Sequence, residues 1–241
     1  MNTTIKELFD RKSVRVFEDR EISAEDKELI LQSAVMAPTA GNQQLYTILD
    51  ITDQTLKEKL VKTCDNQNFI ADAKMVLIFC ADCKKWYDGF KEAGAEPRNP
   101  GVGDLLLAVS DANIAAQNAV TAAESLGIGS CYIGDVMENC EEQKVLLNLP
   151  QYVFPAAMLV FGYPTQQQIE RKKPERADLK YIVHENTYRT MDAGELREMF
   201  GQKTGERTYE EYMKAFCVRK YNSEFSKEMT RSVGEYIKDF R

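Results

Sequence analysis

The chain has 241 residues, of which 44% are hydrophobic and 29% charged, a length and balance that predict a folded protein with a sizeable core. Its formal net charge of −7 argues against nucleic acid as a partner, because phosphate backbones select for a clustered basic surface. No segment reaches about eighteen consecutive apolar residues, so we expect no helix that spans a membrane.

Helices and apolar strands are predicted in turn along the first third of the chain. Ser23 begins a capping box at 23–26, and Asp53 precedes a further helical pattern, so both are expected to cap helices. Pro38 ends the helix that Ser23 begins, because the residue before a proline avoids helical backbone. The predicted elements are a helix over 4–11, a helix from 23 to Pro38, a strand over 43–51, a helix over 53–63 and a strand over 74–81.

The segment 104–126 is predicted to be a long central helix. Alanine fills seven of its positions, and only three are charged. Small side chains over so many turns allow close helix packing on more than one face, either within the subunit or at a dimer interface. Gly127 stands where a glycine commonly ends a helix.

The remaining elements predict an α+β fold, because strands and helices are mixed without strict alternation. We expect one domain over 1–241, with residues 191–241 as a C-terminal helical extension. The elements predicted here are strands over 130–134 and 156–164 and helices over 139–148, 192–200, 208–219 and 223–239.

The six cysteines are expected to be reduced in the cytoplasm, because the N-terminus lacks the apolar core of a secretory signal. Cys80 and Cys83 form a C-x-x-C that closes an apolar strand, which favours buried structural thiols over a metal or redox site. His184 is the only histidine, and no nucleophile motif accompanies it, so we expect it to be structural.

The sequence FDRKSVRVF at 9–17 contains a candidate binding segment. In extended backbone Arg11, Ser13 and Arg15 would point to one side, with Val14 and Val16 anchoring the other. Two guanidinium groups and a hydroxyl suit a phosphate or a polyol, although a solvated connector has the same composition.

Three other segments have the composition of binding loops. MAPTAGNQQ at 36–44 offers hydrogen-bonding groups to a flat heterocycle, or is an ordinary loop. ERKKPER at 170–176 is either a solvated loop or a small anion clamp. GIGSCYIG at 127–134 joins a helix to a strand, which excludes a Rossmann dinucleotide loop.

A characteristic series of segments follows in this order along the chain: DRKSVRVF, APTAGNQQ, the alanine-rich helix, GIGSCYIGDV, LLNLP and LVFGYP. This ordered series resembles the nitroreductase superfamily of FMN-dependent oxidoreductases. The resemblance runs from about residue 4 to 190. It implies a central, mostly antiparallel sheet flanked by helices, and a homodimer with its FMN sites at the interface. It also implies reduction of small electron-poor acceptors, such as nitroaromatics and quinones, by NADPH or NADH in a ping-pong hydride mechanism.

The resemblance implies which residues contact the phosphate and ribityl groups of FMN. Arg11 and Ser13 would bind the phosphate and the neighbouring ribityl oxygens. Arg15 would reach the ribityl chain and the N1/O2 side of the ring. Lys173 and Arg176 would complete the phosphate site, and the acidic residue between them leaves open which one contacts phosphate.

The resemblance also implies the contacts to the flavin ring. Gln67 would read the pyrimidine edge, while Ile133 and Gly134 would lie near N5. The residues that would line the ring from the partner subunit are Pro38, Thr39, Ala40 and Asn42. No dedicated catalytic acid or base is indicated.

Two other functions share this resemblance. One is a relative that acts on a single metabolite, for example by dehalogenation or enone reduction, and the other is a non-catalytic FMN-binding protein. The sequence leaves open the physiological acceptor, the preference between NADH and NADPH, and the role of the C-terminal extension.

Overall fold

A four-stranded sheet is the framework of the fold in the computed structural model, which describes residues 1–241. The spatial order is β1-β2-β4-β3, and every neighbouring pair is antiparallel. The strands are β1 (Tyr46–Asp50), β2 (Met75–Asp82), β3 (Gly129–Ile133) and β4 (Val153–Gly162). The predicted α+β class with an antiparallel sheet is therefore confirmed.

Helices surround this sheet, and the two predicted capping residues have the expected bonds. Ser23 Oγ accepts a hydrogen bond from Asp26 N at 3.0 Å, and Asp53 Oδ1 accepts one from Leu56 N at 2.7 Å. The helices are α1 (Thr3–Asp10), α2 (Ala24–Val35), α3 (Gln54–Thr63), α4 (Phe69–Asp72), α5 (Lys84–Glu92), α6 (Val102–Ser125), α7 (Cys140–Leu146), α8 (Gln166–Glu170), α9 (Leu179–Ile182), α10 (Ala193–Gly201), α11 (Tyr209–Lys220) and α12 (Glu224–Ile237).

Four of these helices, α4, α5, α8 and α9, were not predicted. Three of them have four or five residues, too few for a helical hydrophobic period to show. The longer α5 is started by Asp82, whose Oδ1 accepts hydrogen bonds from Lys84 N at 3.0 Å and Lys85 N at 3.2 Å. Asp82 is also the last residue of β2, so the signal for the helix lies inside the strand.

The two faces of the sheet are packed against different helices. Because side chains alternate along a strand, Leu77 and Phe79 of β2 contribute to the core on the α6 side. Ile78 and Cys80 contribute to a second core with Leu60 of α3. All residues of β2 and β4 are buried, as expected for the two central strands of a sheet covered on both faces.

The alanine-rich segment forms α6, and the prediction of a buried helix is confirmed. Its inner face is fully buried against the sheet and α2, which the small alanine side chains permit. The opposite side carries apolar residues as well, with Leu106 62% and Leu107 53% exposed. No helix of the chain is long and apolar enough to cross a membrane.

The chain divides into two compact units, one made of Met1–Arg171 with Glu228–Arg241 and the other of Lys172–Lys227. From Glu228 onward α12 belongs to the first unit, where the Tyr236 ring packs edge-on against Phe154 with centroids 5.1 Å apart. Phe240 is buried in the same core. A single domain with an extension from residue 191 stays a prediction.

Candidate functional site

The segment 11–17 lies against β3 and the end of β4. Val14 N donates to Ser130 O at 2.9 Å, and Phe17 forms a bridge with Pro164. The approach is close because glycine stands opposite each anchor. A Cβ on Gly129 would lie 2.6 Å from Val14 Cγ2, and one on Gly162 would lie 2.6 Å from Phe17 Cδ1.

The anchoring side chains differ from the prediction at one position. Val14 is 4% exposed and holds the segment as expected, but Val16 is 47% exposed. Phe17 packs over Gly162 instead, and its backbone forms the bridge with Pro164. The prediction that Val16 is a second anchor is therefore wrong.

Arg11, Ser13 and Arg15 converge, as the alternation predicted. All three interact with the Cys131 thiol, where they oppose the rise in its pKa that burial causes. Arg11 Nη1 is buried and has no hydrogen-bond partner, so the site holds an unsatisfied cationic donor. The Arg15 guanidinium lies over the Phe69 ring, 5.8 Å from its centroid.

The turn at 36–44 is organised by Asp111, a buried residue of α6 that the sequence did not single out. Thr39 Oγ1 donates to its carboxylate, as do Ala40 N at 3.1 Å and Leu45 N at 3.2 Å. Its one signal in the sequence is a charge in the middle of an alanine-rich helix. Asp111 thus fixes the turn that contains Pro38, Thr39, Ala40 and Asn42.

Gln67 is held beside the end of β3. Its Nε2 donates to Asp135 Oδ2 at 2.6 Å and to Cys64 O at 3.1 Å. Asp135 directly follows Gly134, and Ile133 is the buried last residue of β3. The structure therefore brings Gln67, Ile133 and Gly134 to one end of the strand.

Lys173 and Arg176 belong to the second unit. They line a cavity of about 830 Å³ there, together with aromatic side chains that include Phe200 and Tyr212. Within the same unit, His184 Nδ1 accepts a hydrogen bond from Arg189 N at 3.1 Å, a structural contact.

The C-x-x-C cysteines are buried, as expected for structural thiols. Burial raises the pKa of both Cys80 and Cys83 to about 12. Because the thiolate is the nucleophile and the metal ligand, this environment disfavours both chemistries.

The sequence and the fold are similar to those of known proteins. A model of the Nitroreductase family matches residues 8–163, which contain the segment 11–17, the turn at 36–44 and the end of β3. The "FMN reductase (NAD(P)H)" of Bacillus subtilis is 32% identical over 239 residues, covering 98% of this chain and 91% of that protein.

A second relative and a solved structure are also similar to this chain. The "Oxygen-insensitive NADPH nitroreductase" of Salmonella typhimurium is 35% identical over 193 residues, 80% of this chain and 77% of that protein. The solved structure of B. megaterium NfrA2 superposes with a TM-score of 0.83 at 30% identity, and covers 98% of both chains. The family model extends over more than half of the sequence, and the chain belongs to the nitroreductase family.

Proposed function

We propose that this protein reduces small electron-poor acceptors, nitroaromatics and quinones among them, at the expense of NAD(P)H in a ping-pong cycle. It is an FMN-dependent NAD(P)H oxidoreductase, as its relatives among the FMN reductases and NADPH nitroreductases support. FMN and NAD(P)H are its cofactors. When bound, FMN supplies the hydride chemistry, and the protein supplies binding, orientation and electrostatics.

The observation that carries the proposal is the buried, unpartnered Nη1 of Arg11 beside Ser13. A buried donor without a partner costs free energy, and a phosphate oxygen would satisfy it with a charge-assisted bond. The donor set therefore fits the phosphate end of FMN. We assign Arg11 and Ser13 to the phosphate and Arg15 to the ribityl chain and the ring edge. Lys173 and Arg176 lie in the second unit, and their contact with the phosphate stays an expectation from the sequence.

The remaining assigned residues position the ring. Asp111 holds the turn that presents Pro38, Thr39, Ala40 and Asn42 as proposed ring contacts. Asp135 takes one amide hydrogen of Gln67, which fixes the direction of the other polar atoms of that amide. A positive charge from Arg15 at the ring edge would favour the negative charge that develops there on reduction.

The proposal includes a homodimer with shared FMN sites. Leu106 and Leu107 on α6 and Met36 after α2 are apolar and largely exposed, and burying these side chains in an interface would be favourable. The cytoplasmic location and the reduced cysteines expected from the sequence are part of the same proposal.

Anaerobic spectroscopy of the purified protein tests the proposal. The visible absorption of bound FMN should bleach on addition of NADPH or NADH, and a quinone or nitroaromatic should restore it. A yellow protein that neither nicotinamide bleaches would contradict the reductase function and favour a non-catalytic FMN-binding protein. A screen of acceptors with the bleached protein separates a general reductase from an enzyme of one metabolite.

A further inference from the structure

Three carboxylates meet beside Gln67 in the first unit. Asp65 follows α3, and Asp135 and Glu138 lie in the turn after β3. One carboxylate oxygen of each residue lies within 4.8 Å of the other two. Asp65 is exposed and Asp135 half-buried, so the cluster is open to solvent on one side.

The third carboxylate, Glu138, is buried without a balancing charge. The residue is 3% exposed, and its Oε1 has no hydrogen-bond partner. None of the ion pairs of the chain includes Glu138, Asp135 or Asp65, and Arg231 pairs with Glu141 and Glu228. A buried carboxylate of this kind is costly unless a cation or a proton neutralises it.

The geometry points to a cation. We propose that Asp65, Asp135 and Glu138 form a binding site for a hard divalent cation such as Ca²⁺. Carboxylate oxygens are the ligands such cations select, and solvent on the open side would complete the coordination shell. Three oxygens that lie within 4.8 Å of one another can all contact one ion at Ca–O distances of about 2.3–2.6 Å, because even oxygens on opposite sides of Ca²⁺ are about 4.6–5.2 Å apart.

A bound cation would also act on the neighbouring Gln67. Asp135 accepts the hydrogen bond of Gln67, so a cation would fix the carboxylate that orients this amide.

Calorimetric titration of the chelator-treated, desalted holoprotein with CaCl₂ tests the site. We expect one Ca²⁺ per chain and a rise in Tm on binding. Asp65→Asn and Glu138→Gln should each weaken binding about tenfold or more, because each removes a charged ligand. Glu142→Gln, at an exposed acid of α7, is the matched control and should bind Ca²⁺ like the unchanged protein.

Two results would overturn the inference. One is the absence of both heat and a Tm shift with millimolar Ca²⁺, Mg²⁺ or Mn²⁺. The other is Ca²⁺ binding that Asp65→Asn and Glu138→Gln leave unchanged. Asp65 is exposed, so its variant should fold even where Glu138→Gln does not. The titration is independent of the FMN spectrum, which separates its failure from a failure of the proposed reductase function.

Discussion

Replacing Asp111 with asparagine should loosen the turn at 36–44 and lower the stability of the first unit. The carboxylate accepts hydrogen bonds from Thr39 Oγ1, Ala40 N and Leu45 N. An amide has one acceptor oxygen, and its NH₂ group would face at least one of these donors. A hydrogen bond to a charged acceptor contributes about 1.5–3 kcal/mol, and a buried donor left unpaired costs about 1–3 kcal/mol. Because such losses are not additive, we expect a total of about 2–4 kcal/mol.

The single tryptophan is well placed to report this change. Trp86 Nε1 donates to Gln43 O at 2.7 Å, so its fluorescence senses the turn directly. For a chain of this size a loss of about 3 kcal/mol corresponds to a fall of roughly 6–12 °C in Tm. Asp88→Asn is the control, since it removes only an exposed ion pair with Lys84 that contributes less than about 1 kcal/mol. Equal unfolding midpoints for Asp111→Asn and Asp88→Asn would refute the role given to Asp111.

Three further changes test other parts of the structure. Arg11→Ala should weaken FMN binding roughly 10- to 150-fold in a fluorescence titration, and Arg11→Lys should lose less because it keeps the charge; unchanged affinity of Arg11→Ala would exclude Arg11 from the site. Gly129→Ala should displace the segment 11–17 and cost about 1–3 kcal/mol in denaturant unfolding, whereas Gly234→Ala, with nothing within 4 Å, should be neutral or stabilising. Hydrogen bonds from Arg231 lower the pKa of Glu141 to about 2, so this pair should stabilise the fold above about pH 4.5 and progressively less toward pH 2. The pair is largely exposed, so Arg231→Gln should cause only a small loss of Tm at neutral pH that disappears in acid; an equal loss at both pH values would contradict the linkage.

Local signals in the sequence predicted most of the fold. The caps at Ser23 and Asp53 act within three residues of themselves, and the apolar runs of β2 and β4 are continuous in the chain. Such features can be recognised in a short window. The contribution of Tyr236 to the first core could not be predicted in this way, because its partner Phe154 is far along the chain.

The candidate site shows the same limit. The convergence of Arg11, Ser13 and Arg15 follows from the period of extended backbone and was predicted. Asp111 was missed because the backbone groups that it accepts from are 66 and 71 residues away. An isolated charge in an apolar helix indicates only that it needs partners, and the tertiary fold decides which ones.

The unsatisfied donor of Arg11 links stability to function. In the protein alone it is a cost, because a buried cationic donor has lost its water without gaining a partner. The segment cannot turn away to hydrate it, since Val14 is fixed over Gly129 and bonded to Ser130 O at 2.9 Å. Backbone packing therefore preorganises the Arg11 guanidinium for an anion. Less side-chain conformational entropy is then lost when the anion binds. A solvated connector would be mobile, whereas this segment is bonded to β3 and bridged to Pro164, which favours the proposed phosphate site over the connector.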